Sequence, residues 1–235
     1  MSKLNLLLTL LSLNALLVIV ERLSPTTQIL LQPYNYLRLH EVFQMSIVIT
    51  ISIIISFLIL KLLSNNFETL KSKSGTILGI IFLLGVYFTA TGNGAHEIAS
   101  FLYNTYCNVK TIGTGFCASS YINDYYFGNI VYFLGLFLSN IALILFELQA
   151  QLKKTEKKQT VISLANGIFY GLMLTAYAAF DPVLIGFYFV VISLAAVGIL
   201  VVSNKKKLVL TPFTFYSLSA YLISTILVFV LRFLK

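Results

Sequence analysis

Charge is scarce in this sequence of 235 residues: Asp, Glu, Lys and Arg make up 10% of it against 58% hydrophobic residues, and the mean hydropathy is +0.91. Polar surface this sparse cannot cover a water-soluble globule of such length, so the chain needs lipid as its solvent. Acidic residues are scarcer still, eight against sixteen Lys and Arg, and in a soluble protein the net charge of +8 would point to nucleic acid. No basic stripe interleaved with aromatics occurs, however, and the lysines stand in short stretches beside apolar runs. There they read as topology signals and contacts to anionic lipid, so membrane lipid is the expected partner and nucleic acid is not.

Histidine and cysteine number two each, and their scarcity closes off several chemistries. The runs His40-Glu41-Val42-Phe43-Gln44 and His96-Glu97-Ile98-Ala99-Ser100 are not HExxH, which excludes a zincin-type helix. No histidine follows His96, so no late helix can add a further histidine ligand to a zinc site, and Thr211 to Leu231 holds no lysine for a retinal Schiff base. Gly92-Asn93-Gly94 lacks the Lys-Ser/Thr of a phosphate-cradling loop; it reads as a turn that ends one helix, starts another and aims His96.

Long apolar runs are what the chain does have. Seven stretches are long enough, or nearly so, to cross about 30 Å of hydrocarbon at about 1.5 Å per residue: Leu4 to Val20, Val42 to Leu63, Gly75 to Gly94, Phe127 to Phe146, Thr160 to Phe180, Pro182 to Val202 and Leu208 to Leu231. The expected fold is therefore all-α, a polytopic transmembrane bundle forming a single domain over 1–235. The first run is followed by Glu21-Arg22-Leu23 without a small-x-small cleavage pattern, so a retained helix is the better reading than a signal peptide. Asp181-Pro182 is a helix-start pair and marks a tight hairpin. Ile98, Phe101, Leu102 and Tyr106 recur at helical spacing, which predicts a short interfacial helix over Ala95 to Tyr106, after the third span.

Lysine and arginine set the orientation. With the N-terminus cytoplasmic, the inner side holds eleven of them, from Lys3 through the clusters near 61–73, 153–158 and 205–207; the outer side holds five: Arg22, Arg38, Lys110, Arg232 and Lys235. An odd number of spans then places the C-terminus outside, and a cell membrane is the expected location.

The outer side collects the residues with chemistry. Cys107 and Cys117 share one loop with Gly113 and Gly115 between them, and an oxidising compartment would join them; two unpaired thiols is the alternative reading, and the spacing suits zinc poorly. His40, Glu41, His96, Glu97 and Asp124 all fall at the outer ends of consecutive helices, which short connections tend to place side by side. Imidazole with carboxylate is what a divalent metal needs, so all five are candidate ligands; without metal, His40, His96, Glu97 and Asp124 could serve as general acid and base. A haem held between His40 and His96 is a further reading. Neighbours on a helix point about 100° apart, so one member of each His-Glu pair should be a bystander.

Two functions follow. One is a membrane-embedded hydrolase or lipid-handling enzyme with an outward-facing polar site; the other is a non-catalytic membrane module or transporter-associated subunit, in which these groups are interface charges. Carboxylates within about 4–6 Å of both imidazoles would count against the second.

Overall fold

The computed structural model of the protein describes residues 2–108, 110, 112–150, 157–180, 182–204 and 211–233, the side chains of 157 and 180 excepted. Seven helices among them are long and apolar enough to cross a membrane: α1 (Lys3–Arg22), α2 (Leu39–Leu63), α3 (Lys73–Tyr106), α4 (Phe116–Gln149), α5 (Lys158–Ala179), α6 (Ile185–Ser203) and α7 (Pro212–Phe233). Only a helix satisfies every backbone amide within itself, so apolar runs of this length coil when hydrocarbon surrounds them. Beside a buried apolar core that includes Leu8, Ile59 and Phe146, the bundle has an apolar outer surface and encloses polar side chains. Leu83, Ile192 and Ile226 lie half or more exposed, while Asn5, Ser163 and Glu147 are completely enclosed. Lipid thus meets the apolar faces, and the polar groups bond between helices.

The hydrogen bonds show what those polar groups do. Asn5 Nδ2 donates to the Gln159 carbonyl (2.9 Å), Ser163 Oγ donates to Asn5 Oδ1 (2.7 Å), and Asn166 Nδ2 donates to Thr9 Oγ1 (2.9 Å), which ties α1 to α5. Asn14 Nδ2 donates to Ser52 Oγ (2.7 Å) and to the Val48 carbonyl (3.2 Å), which ties α1 to α2. At the far end of α4 the buried Glu147 accepts from the backbone N–H groups of Phe213 (2.8 Å) and Thr214 (2.6 Å) and from Thr214 Oγ1 (2.7 Å). These are free donors of the first turn of α7, so Glu147 caps a helix other than its own.

Helices α3 and α4 each run 34 residues. At about 1.5 Å per residue each is about 50 Å long, well beyond the hydrocarbon thickness. They project past the other spans at the end of the bundle where the disulfide joins Cys107 to Cys117, with Cα atoms 5.6 Å apart. We call this the disulfide end and the opposite one the lysine end. The expected separate helix over 95–106 is instead the continuation of α3, and the expected turn at Gly92-Asn93-Gly94 lies inside that helix. The reason is packing. A Cβ on Gly92 would stand 2.2 Å from the Tyr132 nitrogen of α4, so the glycine admits a neighbouring backbone instead of breaking its own helix.

Asp181, half of the expected helix-start pair, lies outside the described residues; α6 begins at Ile185. Also outside are Lys153, Lys154, Lys205, Lys206, Lys207 and Lys235, which contribute to the expected orientation.

Candidate functional site

The site begins with the contact of α3 and α4. Gly85 and Gly92 on one helix, and Gly128 and Gly135 on the other, each stand where a Cβ would meet partner backbone at 2.8 Å or less. Both pairs are spaced by seven residues, two helical turns, so the backbones touch along one seam. Its last contact is Gly128 against the nitrogen of His96. Just before Gly128, residues Asn123–Gly128 form a π-helical turn, a widening that rotates Asp124 inward; a second π turn, Gln44–Val48, does the same for Gln44 in α2.

The seam and the π turn of α4 together set His96 against Asp124. The imidazole Nδ1 lies 2.9 Å from Asp124 Oδ1 and 3.0 Å from the Asp124 carbonyl oxygen. Facing two acceptors, Nδ1 carries the hydrogen, and Nε2 is left to accept from Arg22 Nη2 at 3.5 Å. Arg22, in the last turn of α1, also lies 3.6 Å from Glu97 Oε1 and over the ring of Tyr177 at 5.6 Å. A basic residue is favoured at that C-terminus.

From Glu97 the chain of contacts continues. Its Oε2 stands 3.8 Å from His40 Nε2, and His40 Nδ1 faces Glu21 Oε2. Glu21 also accepts from the hydroxyl of Thr26 and from Gln44 Nε2 (2.8 Å). A carboxylate at a helix C-terminus opposes the helix dipole, so Glu21 is held there by these three donors. The whole network, Glu21–His40–Glu97–Arg22–His96–Asp124, links α1, α2, α3 and α4 at the disulfide end. Of its three carboxylates, each 5% exposed or less, Glu97 alone meets the one guanidinium, while Glu21 and Asp124 face imidazoles. The imidazoles are the remaining groups in it able to bring positive charge.

Glu41 has a different place. It accepts from the backbone N–H of Arg38 (2.9 Å) and pairs with the Arg38 guanidinium at 3.8 Å, which makes it the capping carboxylate of α2. His40 therefore turns to the network and Glu41 away from it. In the second pair both members join: His96 reaches Asp124 on α4, while Glu97 reaches Arg22 on α1 and His40 on α2. The site residues that the sequence did not mark as such are Glu21 and Arg22, Gln44, Tyr132 and Tyr177. The first two carried a signal, since they end the first span on the same side as both His-Glu pairs.

His96, Glu97, Asp124 and Arg22 line a cavity of about 500 Å³ between the disulfide ends of α1, α3, α4 and α5, with Tyr132 and Tyr177 on its inner wall. His96 is 20% and Arg22 43% exposed, and Asp124 is 1% exposed. Asp124 Oδ2 has no hydrogen-bond partner. Among the described residues no three His, Cys, Asp or Glu side chains are grouped to hold a metal ion. The donors form a line in which every imidazole nitrogen already faces a protein group, a poor arrangement for a shared metal or for haem.

Seven apolar spans, four of which bound a polar cavity at one end, define a multi-pass integral membrane protein. No known protein family, curated protein or solved structure matches the chain.

Proposed function

We propose that the protein is a membrane-embedded enzyme acting on lipid-like substrates, with His96 as its general base and acid. The observation that carries this reading is the His96–Asp124 pair in the wall of a cavity large enough for a lipid headgroup. Asp124 fixes the ring and holds the proton on Nδ1, so Nε2 presents a lone pair at the cavity. When substrate enters, Arg22 leaves Nε2 and turns to anionic oxygen on the headgroup. Water then gives its proton to Nε2 as its oxygen attacks the ester centre; the same proton passes to the departing alkoxide, which returns His96 to its starting form. The carboxylates at 2.9 and 3.8 Å from the two imidazoles speak against incidental interface charges.

The lysine bias supports an orientation in which the disulfide end faces the cell exterior, with the N-terminus cytoplasmic, the C-terminus outside and the lysines on anionic headgroups. A C-terminal reporter that fluoresces only in a reducing compartment should stay dark.

The second reading, a non-catalytic module, is favoured by one observation: all four imidazole nitrogens have protein partners. One experiment separates the two. The protein is reconstituted in nanodiscs of headgroup-labelled phosphatidylethanolamine and phosphatidylglycerol, and water-soluble label is followed by mass spectrometry. The enzyme reading expects release that His96→Gln abolishes while both forms remain monodisperse. Equal release, or none from either, leaves the module reading standing.

A further inference from the structure

A second cavity, of about 100 Å³, lies deeper in the bundle and is lined by residues of all seven spans. Asn14, Ser56, Thr89 and Asn140 line it at a depth where lipid offers no hydrogen bond. Asn93, Tyr132 and Tyr177 line both this chamber and the cavity at the ion-pair network, so the two adjoin. Three enclosed polar atoms of residues that line the chamber have no hydrogen-bond partner: Asn14 Oδ1, Asn93 Nδ2 and Asn140 Oδ1. One is a donor and two are acceptors, and a buried polar group left without a partner is costly.

The geometry points to a short file of water that fills this midspan chamber and continues past Asn93 to the network at Arg22 and His96. A mixed set of orphan donors and acceptors calls for a ligand that both donates and accepts, and water does. The volume is room for several water molecules, each of which needs about 10–15 Å³ of such space. Toward the lysine end the lining passes to Leu143 and Phe213, 4% and 1% exposed, with no orphan polar atom among them. The file is thus a part-path, wet from the disulfide end and closed short of the lysine end by Leu143 and Phe213. This inference does not depend on any reaction at His96.

The native chain is a clean background for testing it, because both cysteines are in the disulfide and no free thiol is present. Ser56→Cys and Thr89→Cys put a thiol in the chamber at the cost of one changed atom, or of one atom and a methyl. Ile80→Cys on α3, where the native side chain is 52% exposed on the bundle's outer face, is the control. Silver ion, about as small as water and unable to enter hydrocarbon, is added to the folded protein in nanodiscs. Thiols left free are then counted with maleimide after denaturation. Both chamber cysteines should be blocked about tenfold or more faster than Ile80→Cys, because an ion follows water and not lipid. Adding Asn93→Leu to either should slow blocking about tenfold. Chamber cysteines as slow as the control overturn the water file, as would an apolar occupant that excludes the ion. Fast blocking unchanged by Asn93→Leu overturns the route past Asn93. Because Ser56 and Thr89 sit on different helices, aggregation of one variant leaves the other to decide.

Discussion

His96 and Gly128 meet backbone to backbone: a Cβ on Gly128 would stand 2.8 Å from the His96 nitrogen and 2.9 Å from its Cα. This approach places the imidazole within reach of Asp124, one helical turn earlier on α4. A methyl group there has only main chain to push against, so α3 and α4 must part. Gly128→Ala is expected to cost about 1–3 kcal/mol, as overpacking does. It should also reduce headgroup release more than its loss of stability explains. Thermal unfolding in detergent, read beside the nanodisc assay, checks both.

Gly94 is the control for that claim. It lies in the same helix, two residues before His96, yet nothing stands within 4 Å of its missing Cβ. A glycine inside a helix with open space beside it should gain from a side chain. Gly94→Ala is therefore expected to stabilise by about 0.5–1 kcal/mol. A destabilised Gly94→Ala would show that 92–94 is not the helical interior described above.

Asp124→Asn keeps the shape of the side chain and removes its charge. Nδ1 retains the carbonyl oxygen of residue 124 at 3.0 Å, so the ring stays in place. What is lost is the anion that stabilises a protonated imidazole. Turnover should fall about 10²- to 10⁴-fold, in the range of general acid–base contributions, while the unfolding temperature moves little. A large thermal shift with unchanged turnover would assign Asp124 to structure alone.

Glu147 offers the contrasting case, a buried carboxylate with no part in the cavity. Its removal leaves the N–H groups of Phe213 and Thr214 uncapped inside the bundle. Hydrogen bonds to a charged group are worth about 1.5–3 kcal/mol each, so Glu147→Ala should unfold far more readily than Thr214→Val, which loses only the hydroxyl contact. A double-mutant cycle between the two gives the coupling directly.

The seven spans were legible because lipid demands long apolar runs, and a run such as 42–63 has no other use in so apolar a chain. The full lengths of α3 and α4 were not. Gly92 and Gly128 are written identically whether a glycine ends a helix or admits a neighbouring one, and the difference lies in a partner backbone that no local pattern records. The same holds for the site. His40, His96, Glu97 and Asp124 stood out as rare ionisable groups on one side, whereas Glu21 and Arg22 read as the charged end of a span. Gln44, Tyr132 and Tyr177 are ordinary polar residues within apolar runs, and only the packing of α1, α2, α4 and α5 gives them a common wall. Glu41 was legible as chemistry but not as a cap, since its partner is the backbone of Arg38 three residues earlier.

The disulfide gives the last prediction. In the chain-entropy account a loop of about ten residues closed by a cross-link is worth about 3 kcal/mol, because the unfolded chain loses the freedom of that loop. That figure assumes an unfolded state in which the two ends wander. In lipid or detergent α3 and α4 keep their helices when the bundle opens, and their glycine seam brings Cys107 and Cys117 close without any bond. The Cys107→Ser, Cys117→Ser double variant should accordingly fold, lose roughly 1–3 kcal/mol and keep its headgroup release within about twofold, since Asp124 is positioned by Gly128 and the π turn. A membrane-impermeant reductant should shift the melting of the parent by a similar amount and leave the double variant unmoved. Were the variant to lose release while holding its stability, the loop itself, not the seam, would be what sets Asp124 against His96.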